Sequence, residues 1–525
     1  MCALLMSTPA ASLDPPMDEL AGTLEDYTAV RTGLPSTGEF LYCTVGDVNG
    51  DGFDDIVGSA SNYSTQSGVL GLRVYTCKGG TGWEDNSTGL PTTDRYGGTG
   101  LGDVDGDGDV DLVAAVELSE GSTNKGIDVL INNGTSGGKL SWVDGTTPET
   151  SWEYCMAMFA DINGDGDMDI VAGTKSRGVR VWAGNGGAGG TLSWTAAGNG
   201  LPTNGMYTGV AVGDMNGDGD MDIVACDYSG GIEVHLWTGD GSGNWTSMDS
   251  SFPNGSEATM GCTVGDVNGD GDMDIVYGRR NNAIKCLLGN GGGSDGASFT
   301  WTAADTGLST SGRYSQVDLA DADLDGDLDL IAGGDGRGLE LYLGNGGTGG
   351  SMSWSLQSVG LPTGNFYGAM FGDFNKDRVP DVFGSRYQRR GVGGLEAYKG
   401  TVTGASFPTA RAVWNGTQAN TTSIVLGGNV TLDGRPSFDN EDAPDGDSTG
   451  ANLTYDWNLT RAPAGSTRTE TDLSPSDSSA SPTFSPDAVG NYTFTLAVRD
   501  TDAHWSIDEA YLELQVLKPN EAPVA

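Results

Sequence analysis

A short acidic cluster followed at once by an apolar run, DINGDGDMD–IVAG at residues 161–173, recurs in near-copy seven times along this 525-residue chain. The first aspartates of the clusters are Asp47, Asp103, Asp161, Asp214, Asp266, Asp321 and Asp373, so successive copies are 52 to 58 residues apart. A fixed period of this length marks one supersecondary unit per repeat. Such a unit cannot bury its apolar face alone, so the copies must pack on one another.

Unit four shows what each copy builds. GMYTGVAVGD reads as an alternating strand, the acidic cluster as a loop, DIVAC as a short apolar strand, GIEVHLWTG as a second alternating strand and NWTSM as a fourth. Four short antiparallel strands per unit predict a propeller blade. The glycine-rich GNGG at Asn185, Asn290 and Asn345 imitates a phosphate loop, but no helix pattern follows it, which predicts a hairpin turn. Tryptophan marks the fourth strand at Trp83, Trp142, Trp194, Trp245, Trp301 and Trp354, six copies for seven clusters. Aligning TLEDYTAVRTGLP (23–35) with TLSWTAAGNGLP (191–202) on their shared GLP sets Tyr27 opposite Trp194. The strand missing from unit seven is therefore expected at the N-terminus, closing the ring and leaving no free sheet edge between first and last blades. The expected fold is all-β: a seven-bladed β-propeller closed by an N-terminal strand, plus a C-terminal β-sandwich.

In DINGDGDMD the side chains at positions 1, 3, 5 and 9 are hard oxygen donors, and position 7 can add its carbonyl. Such a set suits Ca²⁺, which takes six to eight oxygens in irregular geometry. Gly166 at position 6 permits the left-handed turn that returns position 9 toward position 1. Without a cation, two carboxylates about 4 Å apart repel by about 4 kcal/mol at an effective dielectric near 20. An EF-hand loop would need glutamate at position 12 and flanking helices. Position 12 here is Gly58, Ala114, Ala172, Ala225, Tyr277, Ala332 and Gly384, and the flanks read as strands.

The pattern Asp-x-[Asp/Asn]-x-Asp-Gly-x-x-Asp, between the first and second strands of a blade, resembles the FG-GAP/VCBS repeat family, which includes the integrin α-subunit propeller. The resemblance spans about residues 20–400 and implies calcium in each loop, bound by the side chains at 1, 3, 5 and 9 and the carbonyl at 7. The implied ligands are Asp47, Asn49, Asp51 and Asp55; Asp103, Asp105, Asp107 and Asp111; Asp161, Asn163, Asp165 and Asp169; and Asp214, Asn216, Asp218 and Asp222. The remaining loops supply Asp266, Asn268, Asp270 and Asp274; Asp321, Asp323, Asp325 and Asp329; and Asp373, Asn375, Asp377 and Asp381. The seventh carries Arg378 where the others have glycine, so six or seven structural Ca²⁺ sites are expected, with that one weakest or empty. Only Phe371-Gly372 echoes the literal Phe-Gly-Gly-Ala-Pro string, which places the chain nearer the microbial VCBS type than the integrins.

At millimolar affinity, tenfold excess calcium stabilises by about 1.4 kcal/mol per site, and seven sites sum to about 10 kcal/mol, comparable with a whole domain. Calcium at that level implies an extracellular or cell-surface location. With 72 acidic and 26 basic residues the formal charge is −46, which disfavours nucleic acid and anionic membrane surfaces as partners. Seven divalent ions would bring −46 to −32 (−46 + 14). No stretch is long and apolar enough for membrane insertion. Residues 1–19 read as an N-terminal tail or the remnant of a secretory signal. Eleven Asn-x-Ser/Thr sequons agree with an outside location. The seven cysteines form no CxxC and indicate neither a zinc site nor a disulfide framework.

The propeller is expected over 20–404. Beyond it, VTLDGRPSFDN, LTYDWNLT, GNYTFTLAVRD and AYLELQVL alternate like strands of a sandwich. They resemble the PKD type of immunoglobulin-like domain over 405–519, with Trp457 as core tryptophan and Tyr492, Leu496 and Val498 on the core face. Residues 520–525 read as a linker to a further module. Asp439, Asp445 and Asp500 read as solvated loop residues rather than one more cation site.

Two histidines, His235 and His504, sit near no Ser or Cys motif, so no catalytic residue and no enzyme activity is expected. The expected partner is a glycan or surface protein, with the PKD-like domain as stalk. The alternative is a structural subunit that self-associates into a surface layer or filament. Polysaccharide lyase or hydrolase activity is the lesser reading, because some propellers of this family are attached to such enzymes.

Overall fold

The computed structural model describes residues 23–60, 71–117, 126–136, 139–187, 190–239, 243–248, 252, 258–281, 283–291, 299–347, 351–377, 379–387, 393–403, 412–414, 421–435, 437, 453–463, 466–469, 472–476, 478–499 and 510–518. Two compact units divide the chain. One holds Leu24–Asn375 and Val379–Val402, and the other holds the residues from Thr403 onward.

Among the described residues, the first unit contains seven antiparallel four-stranded sheets, met in chain order. Sheet one is Phe40–Gly46, Asp55–Ala60, Gly71–Cys77 and Trp83–Asp85, and sheet two is Tyr96–Gly102, Asp111–Val116, Gly126–Ser136 and Lys139–Asp144. Sheet three is Tyr154–Ala160, Asp169–Thr174, Val179–Ala183 and Thr195–Ala196; sheet four is Tyr207–Gly213, Asp222–Asp227, Gly231–Trp237 and Trp245–Ser247. Sheet five is Thr259–Gly265, Asp274–Arg279, Ile284–Leu288 and Thr302–Ala303, and sheet six is Tyr314–Ala320, Asp329–Gly334, Gly338–Leu343 and Ser355–Leu356. Sheet seven takes Phe366–Gly372, Asp381–Arg386 and Gly394–Thr403 from the end of the repeat array, and its outer strand is Thr23–Ala29. The amide of Val30, just past that strand, donates to the Ala397 carbonyl at 2.9 Å, and Arg31 pairs with Glu396 at 3.1 Å.

Within each sheet the first strand adjoins the first strands of its chain neighbours, and the first strand of sheet seven adjoins that of sheet one. Packing on both faces removes the alternation expected of a half-solvated strand. Tyr207–Gly213, Asp169–Thr174 and Asp274–Arg279 are buried at every position. The apolar contacts lie between sheets: Val171, Val179 and Leu201 of unit three pack with Val210, Ile223 and Trp245 of unit four.

The outer edges join by a second device. The indole Nε1 of Trp83 donates to Val30 O (2.8 Å), Trp142 to Asn86 O (3.1 Å), Trp245 to Ala197 O (2.8 Å) and Trp354 to Ala304 O (3.1 Å), each acceptor directly following the outer strand of the preceding sheet. The Gly-Leu-Pro turn after that strand fits against the same tryptophan. Gly200 has φ +97°, and a Cβ there would fall on the Trp245 carbonyl oxygen.

In the second unit, Val413–Trp414, Val430–Asp433 and Thr483–Phe484 form one sheet; Thr421–Val425, Ala510–Leu517, Gly490–Arg499 and Thr454–Arg461 form another, its first pair parallel. The two share a core of Trp414, Trp457, Phe484, Tyr492, Phe494 and Leu514. Trp457, Tyr492, Leu496 and Val498 are all fully buried. Asp439, Asp445, Asp500 and His504 lie outside the described residues.

Candidate metal loops

Each acidic cluster occupies the turn between the first and second strands of its sheet, and position 9 opens the second strand. Burial of the apolar run behind it carries that carboxylate inside. Asp55, Asp111, Asp169, Asp222, Asp274, Asp329 and Asp381 are at most 1% exposed. Both oxygens of each are held by backbone amides. One accepts from position 2 of the same loop (Val48, Val104, Ile162, Met215, Val267, Ala322, Phe374) at 2.7–3.1 Å. The other accepts from the end of the third strand (Cys77, Asn132, Gly184, Trp237, Gly289, Gly344, Gly400) at 2.7–2.9 Å. Position 9 therefore pins the loop to the sheet, and a carboxylate oxygen that accepts one such bond has a second lone pair for a further partner.

The exposed half of the loop is wound by aspartate–amide bonds. In loop three Asp161 Oδ1 accepts from the Asp165 amide (3.2 Å) and Oδ2 from Gly166 (2.9 Å), Asn163 Oδ1 accepts from Asp165 (2.9 Å), and Asp165 Oδ1 from Asp167 (2.9 Å). The bonds from position 1 recur in loops one, two, four, five and six. Gly166 has φ +89°, as the turn requires. Position 4 is left-handed too, at φ +61° for Leu324 and +62° for Lys376, which the spacing of the motif does not reveal. In two loops the winding brings acidic oxygens together. Ligand oxygens of Asp103, Asp105 and Asp111 lie within 4.8 Å of one another, and so do those of Asp321, Asp323 and Asp325. An all-oxygen set of this charge suits a hard divalent cation and no softer one.

The electrostatics of the loops are those of crowded, partly desolvated anions. Burial pushes Asp55 up to about 9, with Asp47 and Asp51 adding to the rise and the Cys77 and Val48 amides opposing it. Burial likewise raises Asp329 to about 9, Asp222 and Asp274 to about 8, Asp111 to about 7 and Asp169 to about 6. A dication among the same oxygens would reverse that balance.

Loop seven is built differently. Asn375 Nδ2 donates to both oxygens of Asp381, at 3.2 and 3.0 Å, where the asparagines of loops one, four and five donate to position 5 instead. Its Asp373 amide donates to Asp54 Oδ2 of loop one at 2.7 Å. Arg378 lies outside the described residues.

The seat of one turn beside these loops is not visible in the sequence. The GNGG turn after the third strand is seated between two acidic loops: a Cβ on Gly186 would strike the Asp167 carboxylate of its own loop, and one on Gly187 the backbone of Asp105 in the preceding loop. Asn185 fixes that turn, donating to Thr191 O at 3.0 Å and accepting from the Ser193 amide at 2.8 Å. His235 is buried in the third strand of sheet four, its Nε2 3.2 Å from Glu233.

An all-β array of four-stranded sheets, each with one oxygen-rich loop between its first two strands, defines a repeat protein of the propeller class. The FG-GAP-like repeat matches residues 103–172, 161–225, 214–277, 266–332 and 321–384, the FG-GAP repeat matches 44–71, and the chain belongs to the FG-GAP repeat family. Among solved structures it is similar to YCF48 from Cyanidioschyzon merolae, at 14% identity and TM-score 0.42, over 71% of this chain and 98% of that one. It is also similar to a protein described as the extracellular domain of a hybrid two component system, BT3049, from B. thetaiotaomicron, at 11% identity and TM-score 0.36, over 92% of this chain and 56% of that one. No curated protein matches the chain. No helix among the described residues is long and apolar enough to cross a membrane.

Proposed function

We propose that this chain is a secreted or cell-surface calcium-binding recognition protein, in which a seven-bladed propeller, made rigid by calcium, presents its loops to a glycan or surface protein. The observation that carries this reading is the metal loop itself. Buried position-9 carboxylates recur sheet after sheet, and acidic oxygens converge in loops two and six, an arrangement that costs free energy until a dication enters. Asp47, Asn49, Asp51 and Asp55, and the matching residues of the following loops, would hold Ca²⁺, whose bound charge offsets the repulsion among them. The amide of Asn375 on Asp381 supports a weak or vacant seventh site.

Closure into a ring of seven is supported by the adjoining first strands of sheets seven and one, and by Thr23–Ala29 completing sheet seven. A PKD-like sandwich serving as stalk is supported by the two sheets of the second unit and their shared core.

Calcium titration by calorimetry on chelator-treated protein tests the metal reading, with six or seven equivalents bound as the expected result. No binding, with an unchanged melting midpoint, would overturn it. Recognition is tested by glycan-array binding of the calcium-loaded protein. Calcium-dependent growth of large particles in light scattering would instead favour a self-assembling surface subunit.

A further inference from the structure

Adjacent sheets meet where the second strand of one adjoins the first strand of the next. Two repeat positions lie on these adjoining strands: the residue four after position 9, and the residue four before position 1 of the following unit. These pairs are small or apolar at four junctions (Ala115 with Ala157, Gly173 with Val210, Gly278 with Val317, Gly333 with Ala369) and Ser59 with Thr99 at a fifth. Where sheet seven meets sheet one the pair is Ser385 and Cys43. At the junction of sheets four and five both members are thiols, Cys226 and Cys262.

The backbones are drawn close at this junction. Gly209 is the register partner of Cys226, and a Cβ on it would lie 2.9 Å from Gly261 Cα, beside Cys262, and 3.5 Å from Cys226 Sγ. Cys262 Sγ reaches across to the strand of Cys226, donating to the Val224 carbonyl at 3.8 Å, and burial raises the Cys226 thiol with the neighbouring Cys262 thiol adding to the rise. Cys226 is fully buried, while Cys262 is only partly so.

We propose that Cys226 and Cys262 close a disulfide that staples sheet four to sheet five when the folded protein meets a low-molecular-weight disulfide as oxidant. The Cys262 thiolate attacks one sulfur of the oxidant, forming a mixed disulfide and releasing one thiol. Cys226 then gives up its proton and attacks the Cys262 sulfur, expelling the second thiol. Two protein thiols are oxidised to one disulfide and one small disulfide is reduced to two thiols. The staple closes a 36-residue loop (262 − 226) and constrains the unfolded chain, independently of any ligand or metal.

The experiment treats the full chain with oxidised glutathione, denatures it, alkylates with iodoacetamide and maps peptides. The expected result is a linked peptide pair containing Cys226 and Cys262 and a melting midpoint higher by about 5 °C. C226S should trap glutathione on Cys262, while C262S should leave Cys226 unmodified. Serine stands at the position equivalent to Cys226 in Ser385 and Ser59, and a hydroxyl stands at that equivalent to Cys262 in Thr99, so both variants should fold. Full alkylation of both cysteines in the treated wild type, or no glutathione on Cys262 in C226S, would overturn the proposal.

Discussion

The position-9 aspartate pins its loop to the sheet and, in the proposed reading, also ligates the cation, and substitution separates the two. Asp169 accepts from Ile162 N and Gly184 N while facing the loop interior. Asp169→Asn turns an amide NH₂ toward one of those donors and removes an anion from the proposed cation site. The expected result is one calcium equivalent fewer by titration and a loss of about 1–3 kcal/mol in denaturant unfolding, the cost of an unsatisfied buried donor. Retention of full stoichiometry would show that Asp169 is no ligand. The pH response follows from the raised carboxyls. Groups such as Asp55 and Asp329, pushed by burial to about 9, bind protons more tightly folded than unfolded, where carboxylates titrate near 4. Chelated protein should therefore lose stability progressively from pH 5 to pH 8, as the folded state is forced to ionise these groups or stay protonated at a cost. With calcium, which binds the ionised form, the melting midpoint should hold or rise over the same interval. A chelated midpoint that rises with pH would contradict the assignment of these carboxyls as crowded anions.

At the level of strands and turns, much was readable in advance and some was hidden for stated reasons. Period, strand content and loop position follow from local pattern, because each Asp cluster with its apolar run is a contiguous signal. The alternation read into the first strand of unit four disappears in the fold, because sheets on both sides bury Tyr207–Gly213 throughout. The Gly-Leu-Pro turn is visible as a repeat, yet its purpose is not, since the carbonyl it must clear belongs to a tryptophan 45 residues on (245 − 200) in the next sheet. The GNGG turn is likewise seen locally, while its seat between two acidic loops is a tertiary fact. Two glycines of similar backbone angle separate these effects. Gly217, φ +70° in a metal loop, has open space where a Cβ would go, so Gly217→Ala should cost about 1 kcal/mol in chelator. Gly200→Ala, at φ +97° and against Trp245, should cost at least about 3 kcal/mol in the same unfolding measurement. Equal costs would mean that the outer clasp bears no strain.

For the molecule entire, charge and partition into units make the clearest claims. Each unit has its own core, so calorimetry should resolve two transitions, and only that of the residues before Thr403 should move with calcium. A single transition, or a calcium-responsive second one, would argue against that division. A chain at −46 is also destabilised by general self-repulsion, which ordinary salt screens. Sodium chloride should raise the chelated midpoint gradually, whereas calcium should act at millimolar concentration and saturate. If the two salts coincide at equal ionic strength, the loops bind nothing specific.

The pairing of Thr23–Ala29 with Gly394–Thr403 sets a condition on biosynthesis. The earliest of these segments to leave the ribosome waits for the latest of the array, some 370 residues behind it (394 − 23 = 371). Until then an unsatisfied strand trails from the nascent polypeptide, open to pairing with a neighbour, and only its late capture commits the whole array to its final form.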